Sequence, residues 1–177
     1  FDFSAGSSSP ANTKELGQTK KNHGILGTLT WGLLLPVGAM VARYLKHKDP
    51  LWYYLHSIIQ LVGFLFCVAT VVLGQQLYAN FHADIPAHRG IGIFVLTLTI
   101  LQVLAFFLRP NKDSKIRRYW NWYHLWFGRI ALFFGALNVV IGMNVGYAGS
   151  AWKIVYGFLV AAILISIIVL ETLSWMR

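Results

Sequence analysis

Four histidines lie at the start of four successive apolar segments, namely His23, His56, His88 and His124. In an antiparallel bundle alternate helices begin on the same side, so His23 and His88 share one end and His56 and His124 share the other. Ionisable residues inside membrane segments indicate functional sites, and imidazole is the commonest metal ligand. The spacing therefore predicts two histidine pairs, each able to bind a metal centre between two helices.

The composition is that of an integral membrane protein. The 177 residues are 56% hydrophobic and 12% charged, whereas soluble domains are about a quarter charged. Mean hydropathy is +0.57, and the apolar segments approach or exceed the ~20 residues that cross a bilayer as a helix. They lie at about 23–45, 51–77, 87–108, 119–145 and 151–176. We predict an all-α transmembrane bundle of five helices, four of which form the core that holds the histidine pairs.

Four side chains inside or beside these segments carry local predictions. Pro36 is expected to kink the first helix, which membrane helices tolerate. Pro86 is expected in the first turn of the third helix, with Asp84 as its cap. Cys67 is the one cysteine, so no intrachain disulfide forms and a buried small side chain is expected.

Residues 1–20 are small, polar and rich in serine and glycine, which is typical of a linker. We interpret them as the tail of an absent N-terminal domain, and residues 21–177 as the transmembrane domain. Because the chain starts with Phe1 and shows no signal peptide, we expect a piece of a longer protein.

The basic loop residues predict the orientation. Loops on the side of His56 and His124 carry eight lysines and arginines, and those on the other side carry two. Three lysines before the first segment count against the resulting orientation. Since basic loops stay cytosolic, the first side and the C-terminus are expected in the cytosol and the N-terminus opposite. The same rule explains the net charge of +9 without nucleic-acid binding. We call His56 and His124 the inner pair, and His23 and His88 the outer pair.

A site with two imidazole ligands is better suited to haem than to zinc. Zinc prefers more than two clustered ligands, often cysteine or carboxylate. Asp84 is the one loop carboxylate near the outer pair, and Asp49 and Asp113 are those near the inner pair. A haem iron takes two axial imidazoles from facing helices. The sequence therefore favours a di-haem core.

Glycines recur beside the histidines. Gly27, Gly92 and Gly128 each follow a histidine by four residues, and Gly63 follows His56 by seven. These positions share the histidine face of a helix, where glycine leaves room for a porphyrin edge. Glycine is also common in packed membrane helices, which is the competing explanation.

Other polar residues near the pairs have open roles. Arg129 lies at membrane depth, five residues after His124, and is predicted to pair with a haem propionate. His82 lies outside the helices and is a weaker ligand candidate, and His47 is expected to be solvated. Basic residues near the inner pair either bind lipid head groups or attract an anionic reductant. They are Lys46, Lys48, Arg117 and Arg118.

The sequence resembles the membrane domain of the cytochrome b561 family, in the form that plants join to an extracellular DOMON domain. The similar segments cover most of residues 21–145 and are KNHGILGTLTWGLLLPVGAMVARYL, WYYLHSIIQLVGF, AHRGIGIFVLTLTILQ and WNWYHLWFGRIALFFGALNVVIG. The N-terminal FDFSAGSSS would suit the end of a DOMON domain.

The resemblance implies two b-type haems, with His23 paired to His88 and His56 paired to His124. It implies a transmembrane oxidoreductase of the ascorbate-dependent ferric reductase type. Electrons would pass from cytosolic ascorbate to a ferric chelate or monodehydroascorbate on the other side. A multi-pass protein of the plasma membrane is implied, with a DOMON-type domain as an absent partner.

The chain departs from the family pattern in two respects. Family members commonly have six helices, and the leading helix is absent here. Ascorbate users carry lysines shortly before the second ligand histidine, where this chain has Pro50 and Tyr54. Arg118 and Arg43 match basic positions of the family, and Arg43 is expected beside the cofactor. The expected substrate-binding residues are Arg117, Arg118 and Lys48.

Two other functions fit the same residues. A membrane anchor would relay electrons to or from an attached extracellular domain without a substrate of its own. A transporter or channel would use the histidines as pH sensors and bind no haem. A visible spectrum of the purified protein separates the haem proteins from the last class.

Overall fold

A computed structural model describes the backbone of residues 10–176 and the side chains of residues 13–176. Its elements are α1 (Pro10–Leu29), a π-helical turn (Thr30–Leu34), α2 (Leu35–Tyr44), α3 (Leu51–Phe81), α4 (Pro86–Phe107), α5 (Arg117–Val145) and α6 (Ser150–Trp175). The first three run on as one helix. Five helices are long and apolar enough to cross a membrane, and no strand occurs within residues 10–176. The predicted all-α transmembrane bundle is confirmed.

The first helix starts earlier than the sequence predicts. Residues 10–20, expected to be linker, belong to α1, and residues 1–9 lie outside the described part of the chain. Lysine, glutamate and glutamine are good helix formers, and they extend a helix that the apolar stretch has already nucleated. His23 therefore lies well inside α1 and not at its entrance, unlike the other three ligand candidates.

The region around Pro36 departs from α-helical geometry without breaking the helix. Pro36 is the second residue of α2, directly after the π-helical turn. At the end of that turn the N–H of Leu35, the next residue, donates to the carbonyl of Thr30, five residues back. A wider turn next to a residue without an N–H is a usual way to accommodate it in a helix.

At α4 one of the two local predictions is wrong. Pro86 is in the first turn, as expected, because its missing N–H has no helical partner there. Ile85 holds the capping position, and no side chain caps this helix. Asp84 is therefore not the cap.

The buried core joins all four histidine-bearing helices. Its members are Trp31, Leu35, Cys67, Val95, Leu98 and Ala131. Cys67 is 1% exposed, as predicted. By position along the helices this cluster lies midway between the two histidine pairs, and a Cβ at Gly135 would overlap the ring of Trp31. The core thus keeps the helices close at mid-membrane by a glycine–tryptophan contact.

Gly135→Ala is expected to destabilise the bundle by about 1–3 kcal/mol, the usual range for overpacking a filled core. The matched control is Gly157→Ala, because a Cβ at Gly157 meets nothing within 4 Å. Thermal unfolding in one detergent measures both variants. We expect a lower melting temperature for Gly135→Ala alone, and equal melting temperatures would contradict this account of the core.

Candidate functional site

The four histidines meet as two pairs. His23 of α1 faces His88 of α4, with ring centroids 5.9 Å apart and ring planes at 82°. His56 of α3 faces His124 of α5, with centroids 6.0 Å apart and planes at 86°. All four residues are half-buried. Each pair therefore bridges two helices that do not follow each other directly along the chain.

Three of the four imidazoles hydrogen-bond through Nδ1 to a main-chain carbonyl of a neighbouring helix. The pairs are His23 with Thr70 (2.8 Å), His56 with Gly38 (2.8 Å) and His88 with Asn138 (3.2 Å). A carbonyl oxygen can only accept, so each Nδ1 carries the hydrogen and each Nε2 keeps its lone pair. This is the tautomer in which Nε2 binds a metal, and the bond to the carbonyl fixes the orientation of the ring.

Side chains hold the fourth imidazole. One end of the Gln102 amide lies 2.7 Å from Nδ1 of His124. Trp120 stacks on the imidazole with centroids 5.0 Å apart at 14°, and its indole N–H donates to the carbonyl of Ala105 at 3.0 Å. The Arg117 guanidinium lies 4.7 Å from the centre of the Trp120 ring. A stacked column of three side chains therefore runs from the basic end of the bundle to the inner pair.

Each core helix serves both pairs. It contributes a histidine to one pair and the group that contacts a histidine Nδ1 of the other. In three helices these two residues are fourteen positions apart, as His56 and Thr70, His88 and Gln102, and His124 and Asn138. Fourteen residues make nearly four α-helical turns and span about 21 Å, so both groups lie on one face. The two pairs are therefore roughly 21 Å apart along the helices.

The first helix needs its π-helical turn to follow this pattern. His23 and Gly38 are fifteen positions apart, one more than in the other helices. In a regular α-helix the additional residue would rotate Gly38 by about 100°. A π-helical turn takes up about one additional residue, because its hydrogen bonds reach five residues back. The turn at Thr30–Leu34 thereby points the Gly38 carbonyl at His56.

The glycines after the histidines lie at contacts between helices, which is the alternative explanation that the sequence left open. A Cβ at each would touch the side chain of the residue that contacts the histidine of the same helix. The pairs are Gly27 with Thr70 (3.4 Å), Gly92 with Asn138 (3.4 Å) and Gly128 with Gln102 (3.6 Å). Gly63 packs against Leu35 of the core. A Cβ would make ordinary van der Waals contact at Gly27, Gly92 and Gly128, whereas at Gly63 it would overlap Leu35, so of these four glycines only Gly63 is required by the close approach of the helices.

Two other glycines touch the imidazoles of the outer pair. A Cβ at Gly74 would lie 2.9 Å from Cε1 of His23, and one at Gly142 would lie 2.7 Å from Cε1 of His88. Each lies four residues after the carbonyl that accepts from the same histidine. Each imidazole of the outer pair therefore packs against a glycine.

The pairs fit an iron bound by imidazole on both sides. Two metal–nitrogen bonds of about 2 Å, with half a ring beyond each, place the ring centroids roughly 6 Å apart. The measured separations are 5.9 and 6.0 Å. Within residues 10–176 no three histidine, cysteine, aspartate or glutamate side chains gather into a metal site. Two axial ligands suffice for a haem, because the porphyrin supplies the rest.

Arg43, expected beside the cofactor, forms an ion pair between α2 and α6. Its Nη2 lies 2.7 Å from Oε1 of Glu171. The same carboxylate accepts from the Tyr44 hydroxyl at 3.0 Å and from the Trp175 indole at 3.1 Å. The structure therefore gives Arg43 a helix-joining contact, which sequence spacing did not suggest.

The remaining single candidates lie apart from the pairs. The Arg129 guanidinium lies 5.2 Å from the Trp126 ring centre on the exposed side of α5. His82 is an exposed residue after α3 with φ 44°, and its ring contacts Tyr78. His47 is exposed in the loop after α2. Neither of these two histidines faces another imidazole in the described structure.

A basic cavity of about 310 Å³ opens beside the inner end of the bundle, where the loop after α2 meets the loop after α4. Its lining residues are Lys46, Asp49, Pro50, Trp52, Tyr53, Arg109 and Lys112. The Arg109 guanidinium lies 4.3 Å from the centre of the Tyr53 ring, which orients it. Three cations and one carboxylate give the cavity a net positive charge, which suits an anion.

The residues expected to bind substrate are not among those that line this cavity. Arg117 donates to the Pro110 carbonyl at 2.6 Å. Arg118 lies 5.2 Å from the centre of the Tyr119 ring and is exposed, as is Lys48. Sequence reasoning placed Lys46 near the inner pair but missed Arg109 and Lys112 as its companions.

Comparison with known proteins connects this site to a family. The chain is 56% identical over 171 residues to a cytochrome b561 and DOMON domain-containing protein of Arabidopsis thaliana, covering 96% of the chain and 43% of that protein. Two more Arabidopsis thaliana proteins of the same description are 37% and 33% identical, over 100% and 99% of the chain and 48% and 44% of their own length. No family model and no solved structure matches.

These similarities confirm the resemblance seen in the sequence. The chain belongs to the cytochrome b561 family and spans less than half the length of the relatives named above. It is an integral, multi-pass membrane protein by the number and character of its helices.

Proposed function

We propose that the chain carries electrons across a membrane through two b-type haems, one at each histidine pair. The observation that supports this most is the facing geometry of the pairs, with centroids 5.9 and 6.0 Å apart. The Nδ1 hydrogen bonds of three histidines favour metal binding through Nε2. The relatives are cytochromes by name.

His23 with His88, and His56 with His124, would each hold a haem, which would supply a one-electron carrier. With two imidazoles holding each haem, no iron position would be left for a substrate, so electrons would enter and leave by outer-sphere transfer. Each helix of the core spans both pairs, which holds the two sites at a constant separation of about 21 Å along the axis. Arg129 remains a proposed partner of a haem propionate.

We propose that an anionic reductant, ascorbate in the family pattern, binds in the cavity of Lys46, Arg109 and Lys112. The cavity lies at the end of the bundle that carries the inner pair, and its charge attracts anions. Arg117, Arg118 and Lys48, which the sequence indicated as substrate-binding residues, are not among the residues that line this cavity. The basic loops at this end favour a cytosolic position, with the N-terminus on the other side of the plasma membrane. The acceptor at the outer pair is proposed to be a ferric chelate or monodehydroascorbate.

The visible spectrum of the purified chain tests the proposal most directly. We expect a Soret band and a haem-to-protein ratio of two, with reduction by ascorbate and reoxidation by a ferric chelate. A protein that folds, takes up no haem when haem is supplied and shows no Soret band would contradict the proposal and favour a transporter with pH-sensing histidines.

A second candidate is a relay to an attached domain, because the relatives carry a DOMON domain in their names. Such a relay would bind haem and accept electrons from ascorbate. It would not reduce a ferric chelate unless the additional domain were joined to it. Comparing chelate reduction by this chain alone and by a fusion with a DOMON domain separates the two candidates.

A further inference from the structure

The inner pair contains the ligand candidate whose Nδ1 is contacted by a side chain alone. His23, His56 and His88 bond main-chain carbonyls, and His88 also bonds the Asn138 side chain. His124 faces the amide of Gln102 at 2.7 Å. A main-chain carbonyl is a constant acceptor in every variant of a protein, whereas a side-chain amide depends on the residue type. The strength of this one hydrogen bond is therefore determined by the residue at position 102.

The Gln102 amide has two orientations that differ by a half-turn. In one, its NH₂ group donates to Nδ1 of His124 at 2.7 Å and to the His124 carbonyl at 3.2 Å, and its oxygen accepts from the Gly128 N–H at 3.3 Å. That orientation requires the imidazole hydrogen on Nε2. Iron binding through Nε2 requires the hydrogen on Nδ1. The amide oxygen must then face Nδ1 at 2.7 Å, where it also lies 3.2 Å from the His124 carbonyl, while the NH₂ group lies 3.3 Å from the Gly128 nitrogen. Accepting the Nδ1 hydrogen therefore gives up the two main-chain hydrogen bonds of the other orientation, so the choice of tautomer and the orientation of the amide are coupled.

Neighbouring residues fix the position of the Gln102 amide relative to the His124 imidazole. Gln102 and Ala105 lie on one turn of α4, and Ala105 accepts the indole hydrogen of Trp120 at 3.0 Å. Trp120 in turn stacks on His124. Gly128 leaves space for the Gln102 side chain, with its added Cβ 3.6 Å from Oε1. One turn of α4 thus acts on the His124 imidazole in two ways. Gln102 contacts its Nδ1, and Ala105 bonds the Trp120 indole that stacks on the ring face.

We propose that Gln102 is a positioning residue that lowers the midpoint potential of the inner haem by accepting the Nδ1 hydrogen of His124. This rests on the proposed haem content. An acceptor at Nδ1 makes the imidazole a stronger donor to iron, which stabilises the ferric state. Gln102 contacts His124 of the inner pair, whereas the imidazoles of the outer pair bond the Thr70 and Asn138 carbonyls and the Asn138 side chain, so position 102 lets the protein adjust one site independently of the other.

Redox titration of the full chain in detergent, followed by its visible spectrum, tests the proposal. Gln102→Leu removes the acceptor, and we expect the potential of one haem to rise by about 59 mV, a tenfold change for one electron. The matched control is Gln60→Leu, because Gln60 follows His56 by one turn of α3 but donates to the Leu35 carbonyl at 3.1 Å. The control is expected to leave both potentials unchanged. The same shift is expected in a His23→Ala background, which retains the inner haem alone, and no shift in a His56→Ala background.

If Gln102→Leu loses the inner haem, the potential of that haem cannot be measured in it. Gln102→Glu then serves as the second variant, because its carboxyl oxygen still accepts the Nδ1 hydrogen. Retention of two haems by the glutamate variant supports the proposal, and their loss there would overturn it. Unchanged potentials in Gln102→Leu, or a shift in the His56→Ala background, would also overturn it. These outcomes differ from failure of the proposed function, in which the unsubstituted chain itself shows no Soret band.

Discussion

Replacing His124 with alanine is expected to halve the haem content of the purified protein, from two haems per chain to one. His56→Ala is expected to do the same, because the two imidazoles lie with centroids 6.0 Å apart and are proposed to hold the same haem. No other histidine is near enough to substitute, since His47 and His82 are exposed and contact neither ring of the inner pair. Electron entry from ascorbate should fall nearly to zero, while the outer haem remains.

Haem extraction with protein quantification measures the ratio, and ascorbate-driven reduction of the Soret band measures entry. His47→Ala and His82→Ala are the matched controls, and both should retain two haems and full reduction. His23→Ala should also leave one haem, but that haem should still accept electrons from ascorbate. A ratio of two in His56→Ala or His124→Ala would contradict the assignment of the inner pair.

Replacing Arg109 with glutamine is expected to raise the KM for ascorbate about tenfold, with a smaller change in kcat. A charge-assisted hydrogen bond contributes about 1.5–3 kcal/mol, and 1.4 kcal/mol corresponds to a factor of ten. Arg109 is expected to carry the largest effect, because Tyr53 holds its guanidinium at the cavity while Lys46 and Lys112 have flexible stems. The rate should also become less sensitive to ionic strength, since one attracting charge is lost.

Steady-state reduction of the haems in vesicles or detergent measures this effect. The competing assignment of the donor site is tested by Lys48→Gln and Arg118→Gln, which remove equal charge from exposed positions not among the cavity-lining residues. We expect these controls to change the KM less than twofold. A larger effect of Arg118→Gln than of Arg109→Gln would return the donor site to the residues chosen from sequence.

The spacing of the histidines could be recognised from sequence because it follows from helix geometry. Apolar segments of membrane length impose antiparallel helices, and alternate helices begin on the same side. The residues that orient the histidines were missed for lack of such a rule. Fourteen positions separate a histidine from Thr70, Gln102 or Asn138 in each of three helices, a repeat that is visible in retrospect. Main-chain acceptors leave no signature in side-chain type, so only Gln102 and Asn138, whose side chain also bonds His88, were open to recognition.

The glycines show where local reasoning fails. Their position after the histidines indicated a crowded face but not which neighbour crowds it. Tertiary packing decides that, and the neighbour is a helix at Gly27, Gly92 and Gly128 and an imidazole at Gly74 and Gly142. Arg43 shows the same limit. Its ion-pair partner is Glu171, which is distant along the chain and so could not be found from local spacing.

The sequence by itself determined the membrane bundle, the four histidines and their pairing by side, because hydropathy and helix direction depend on composition and order alone. Only the tertiary structure decided how each imidazole is oriented, which basic residues share a cavity, and that a π-helical turn brings Gly38 to His56. These features depend on the rotation of one helix against another, to which a single residue adds about 100°. Patterns along one helix cannot specify that rotation, because it is determined by contacts between helices.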